Sequence, residues 1–122
     1  MKKTLVAIAI SVIALFAAQN ANGQSLSADQ QAIINRQRTE IQQKRNSANE
    51  YQQKADEAGR QCQKWKDMKD PGEDVKSITV MISKYCGDQE IYQKKANQLR
   101  AEANELERLL NIAIEKAKAN NR

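Results

Sequence analysis

Apolar residues in the first long stretch of the chain recur at seven-residue intervals. Ile34, Ile41, Ala48, Ala55 and Cys62 share one heptad position, and Gln37, Lys44, Tyr51, Ala58 and Trp65 stand three residues further on. This seam is weak near Ile34 and stronger toward Trp65. In the second stretch a four-three rhythm runs through Ile78, Ile82, Tyr85, Gln89, Tyr92, Ala96, Leu99, Ala103, Leu106, Leu110, Ala113 and Ala117, and all but Gln89 are apolar or aromatic. A rhythm kept over several heptads predicts helices that pack along a narrow coiled-coil seam. Alanine in the middle of the second seam lets two backbones approach closely.

One break separates the two stretches. Asp70-Pro71-Gly72-Glu73-Asp74 carries the clear turn signal, whereas the flanking segments are rich in helix formers and nearly free of Gly and Pro. Ser27 stands three residues before Gln30, the spacing of a capping box, and Asp29 falls in the first turn. The pattern predicts a helix over about 27–69, a turn at 70–74 and a helix over about 75–120. The expected fold is all-α, a long antiparallel two-helix coiled-coil hairpin closed by one disulfide. Two features argue against a perfectly regular hairpin, and a short third helix after the turn is the rival division. Val75 to Ile82 has a composition that also suits a strand, and Gly87-Asp88 is able to end one helix and cap the next.

Fold-back can be tested by arithmetic, because antiparallel partners keep a constant residue sum. Pairing Cys62 with Cys86 sets that sum at 148 and the symmetry centre at residue 74, beside the turn chosen on other grounds. The same register brings Trp65 near Ile82, Ala55 near Tyr92, Ile41 near Leu106 and Ile34 near Ile114. An even number of Cys in an exported chain reads as a disulfide. A redox pair and an intermolecular bridge are the alternatives, although neither Cys-x-x-Cys nor a thioredoxin-like strand pattern is present.

Export is read from residues 1–23. Lys2 and Lys3 precede an apolar run from Leu5 to Ala18, interrupted only by Ser11, and Ala21 and Gly23 are small residues suited to cleavage before Gln24. A membrane-spanning helix needs about 20 apolar residues, so a cleaved signal peptide is expected, with an uncleaved anchor as the alternative. No stable membrane span is expected after cleavage, and the mature hairpin is then 24–122, periplasmic or secreted.

Charge and residue types narrow the chemistry. The chain has 122 residues, with 20 Lys plus Arg against 15 Asp plus Glu and no His. Without Lys2 and Lys3 the balance is 18 against 15, and acids and bases alternate, which describes solvated helix surface better than a nucleic-acid face. Lacking imidazole, the chain has no Ser-His-Asp or Cys-His catalysis and no His-ligated metal. Asp67, Asp70, Glu73 and Asp74 crowd the turn, but they lack both the cleft a hydrolase needs and the ligand spacing of a calcium loop. No catalytic, cofactor-binding or metal-binding residue is assigned.

Partners are read from apolar residues beyond the seams. The seam proper is Ile34, Ile41, Ala48, Ala55, Trp65, Ile82, Tyr92, Leu99, Leu106 and Leu110. Met81, Ile91, Leu109 and Ile112 lie beside it, as do Ile33 and Val80, and they either widen the intramolecular interface or face a partner. In general build an exported, slightly basic helical hairpin resembles the arm of Skp-type periplasmic chaperones, though the strands that assemble such arms into a trimer have no counterpart in this sequence. The expected function is that of a non-enzymatic protein-binding or assembly module of the cell envelope, through a protein partner or self-association as a homodimer. A holdase-type chaperone, or an inhibitor of an envelope or secreted enzyme presenting the turn, is the alternative.

Overall fold

The computed structural model describes residues 26–68 and 75–120. The signal-peptide reading and the turn at 70–74 lie outside these residues. Two long helices pack against each other as an antiparallel hairpin: α1 is Ala28–Lys66 and α2 is Val75–Asn120. No strand occurs among the described residues.

The start of α1 is a full capping box. The Ser27 amide donates to Gln30 Oε1 at 2.8 Å, and the Gln30 amide donates to Ser27 Oγ at 3.1 Å. Two N–H groups that helix geometry leaves orphaned are thereby satisfied. At the other end α1 stops at Lys66, followed by a turn in which the Asp67 amide donates to the Gln63 carbonyl at 2.9 Å. Helix α2 runs unbroken through Gly87, so the short third helix is absent and Val75 to Ile82 is helical. One glycine inside a helix costs about 1 kcal/mol, too little to interrupt a helix held on both sides by packing.

The helices contribute to two compact units. In the first, residues 26–45 face residues 101–120 around an aliphatic core of Ile34, Ile41, Ala103, Leu106, Leu110, Ala113 and Ile114, against which Leu26 and Ile33 pack. Gln30 and Gln37 are also buried there. Lys44 Nζ donates to Glu102 Oε1 at 3.4 Å, and Arg45 donates to Glu107 at 2.6 Å and to Asn104 at 3.3 Å.

The second unit comprises residues 46–100. Its buried side chains are small: Ala48, Ala55, Ala58, Cys62 and Ala96, with Leu99 the one large aliphatic among them. Alanine buries little apolar area, so this interior contributes less hydrophobic stabilisation than the Ile and Leu core of the first unit. Covalent and polar ties offset the deficit. Cys62 and Cys86 form a disulfide with Cα atoms 4.9 Å apart, and Gly59 lies against Gln89, the partner that a residue sum of 148 assigns. A chain-entropy estimate for a loop of this length is about 3.5 kcal/mol.

Candidate functional site

Side chains that cross between α1 and α2 in the second unit form a polar network that the heptad pattern did not announce. Gln52 and Gln93 exchange amide hydrogen bonds at 2.8 Å in each direction. Arg100 donates to Gln52 Oε1 at 2.9 Å, and Gln93 donates to Asn97 at 3.0 Å. Nearby the rings of Tyr51 and Tyr92 pair with centroids 6.2 Å apart, and Lys54 Nζ lies 5.1 Å and 5.8 Å from their respective centroids. These half-buried rings are the edge of the interface, as is Trp65. Ile82 is likewise half-buried, whereas Ile34, Ile41, Ala48, Ala55, Leu99, Leu106 and Leu110 are fully inside.

Three pairs of charged groups on the surface are local, each joining residues three or four apart on the same helix. Arg60 donates to Glu57 at 2.6 Å and 3.0 Å, and this bond, helped by one from Gln61, holds the Glu57 carboxyl below the usual carboxylate range. Arg108 does the same for Glu105, and its own guanidinium is correspondingly held protonated. Carboxylates stabilised in the ionised form in open solvent are poor proton donors near neutral pH. Among the described residues no group of three or more His, Cys, Asp or Glu side chains is arranged to hold a metal ion.

What remains is an apolar surface on α2. In the second unit Val75, Val80 and Ile91 are 75%, 60% and 64% exposed, and Met81 is half-buried beside them. Lys76, Ser77, Val80 and Met81 line a shallow depression of ≈ 360 Å³. In the first unit Ile112 is 40% exposed, Leu109 is half-buried, and Ile33 packs onto the core. The residues read as partner-facing thus divide: Ile91 and Ile112 reach solvent, while Met81 and Leu109 are partly covered. Val75 was not singled out from the sequence, because a lone valine beside a Pro-Gly turn carries no periodic signal.

Among the described residues no helix is long and apolar enough to cross a membrane. Comparison of the chain with protein-family models, with curated proteins and with solved structures gives no match.

Proposed function

We propose that this chain is an exported, non-enzymatic protein-binding or assembly module of the cell envelope, acting in the periplasm or outside the cell through the outer face of α2. The observation that carries this reading is the exposure of Val80 and Ile91 on a helix whose opposite face is already satisfied by Ala96, Leu99 and the disulfide. Exposed large apolar side chains that repeat along one helix face are candidates for an interaction surface. The disulfide supports an oxidising compartment, and the apolar run of residues 5–18 supplies the export signal.

The test is cross-linking in intact cells, with a photoreactive residue in place of Val80. A discrete protein adduct, lost when Ile91→Lys is added, is the expected result. Adducts that do not change with Ile91→Lys, or none at all, contradict a binding role for this face.

A further inference from the structure

Val80 and Ile91 lie on one line along α2. Eleven residues are three helical turns to within about 20°, so the two side chains point the same way, about 16 Å apart at 1.5 Å per residue. Lys84 and Gly87 fall between them on that line. The two glycines of the described residues differ in what surrounds them. A Cβ on Gly59 would stand 2.7 Å from Gln89 Nε2, so a neighbour in the chain uses that space, whereas a Cβ on Gly87 would meet nothing within 4 Å. The α2 backbone is therefore open to close approach from outside at Gly87, flanked by two exposed aliphatic side chains.

This stripe is complementary to itself. A two-fold axis crossing α2 midway between Lys84 and Gly87 sets Val80 opposite the second copy's Ile91, and Ile91 opposite the second copy's Val80. It lays the methylene stem of Lys84 across the second copy's Gly87 and brings the Lys84 ammonium beside the second copy's Asp88. Every contact occurs twice, as in any isologous interface. Neither charge makes an ion pair among the described residues; Lys84 Nζ lies over the Tyr85 ring of its own chain at 5.3 Å and would exchange that contact for the carboxylate. Lys94, at the rim, is answered by Glu90 of its own chain at 3.7 Å.

We propose that a second copy of this chain docks antiparallel on the Val80–Lys84–Gly87–Ile91 stripe of α2, with paired Lys84 and Asp88 fixing the register. The inference rests on the reading of the chain as an assembly module and names its partner.

Sedimentation equilibrium of the exported, non-reduced protein tests it. The expected result is a monomer–dimer equilibrium that Lys84→Asp or Asp88→Lys alone weakens by about tenfold or more, and that the double exchange Lys84→Asp/Asp88→Lys largely restores. Val80→Lys/Ile91→Lys should abolish the dimer while leaving helical content and thermal unfolding in dilute solution unchanged. A wild-type protein that stays monomeric, or a dimer indifferent to all these variants, overturns the proposal. A monomer that forms an adduct with a different protein through Val80 overturns self-docking alone. A monomer with no adduct overturns the wider reading as well.

Discussion

Gly59 and Gly87 have the same composition and opposite surroundings, which makes them a direct test of local packing. Gly87→Ala places a methyl in open space and recovers helix propensity, so the monomer should gain about 0.5–1 kcal/mol. Gly59→Ala must first displace the Gln89 amide and should gain less; thermal melts of both variants in dilute solution check the order. Acid sensitivity is a second residue-scale consequence. Glu57 and Glu105 are ionised more readily in the folded chain than in the unfolded one, so their contribution is present above the ordinary carboxylate range. It is lost as pH falls through their lowered values. Both side chains are exposed and solvent screens their pairs, so the effect is small. Denaturation curves across the acid range should fall less steeply for Glu57→Gln/Glu105→Gln than for the wild type.

At the level of the helices, the seam is where an ion pair stands in place of two aliphatic side chains. Lys44 and Glu102 are 17% and 10% exposed, and Glu102 Oε2 has no hydrogen-bond partner within the protein. Lys44→Met leaves that carboxylate buried without its partner and should cost about 1–3 kcal/mol. Lys44→Met/Glu102→Leu should recover most of the loss, as read by urea denaturation. The heptad spacing carried the antiparallel pairing because Ile34, Ile41, Leu106 and Leu110 repeat on one face, and small Cys62 and Cys86 fixed the register. The capping box was legible for the same reason: Ser27 and Gln30 act locally. The polar network was not. Gln52 and Gln93 sit off the seam, and glutamine is equally at home in solvent, so their mutual hydrogen bonds depend on how the backbones approach. The exposed α2 stripe was legible as surplus apolar residues. Which of them reach water follows from the face each occupies: Val80 and Ile91 lie away from Ala96, Leu99 and Cys86, whereas Met81 is turned partly in.

For the molecule as a whole, the covalent tie, the proposed export signal and the α2 face are linked. A pair of thin helices with an alanine interior in one unit draws little stability from burial, and on the proposed reading the Cys62–Cys86 disulfide forms once the chain reaches an oxidising compartment. The proposed role is to hold one helix face ready for a partner. Intact-mass measurement of the non-reduced protein recovered from its compartment tests this most directly. The account predicts the mass of residues 24–122 less two hydrogens, with Cys62 and Cys86 joined in one peptide after digestion. A protein that retains residues 1–23, or one whose two thiols are free, contradicts it.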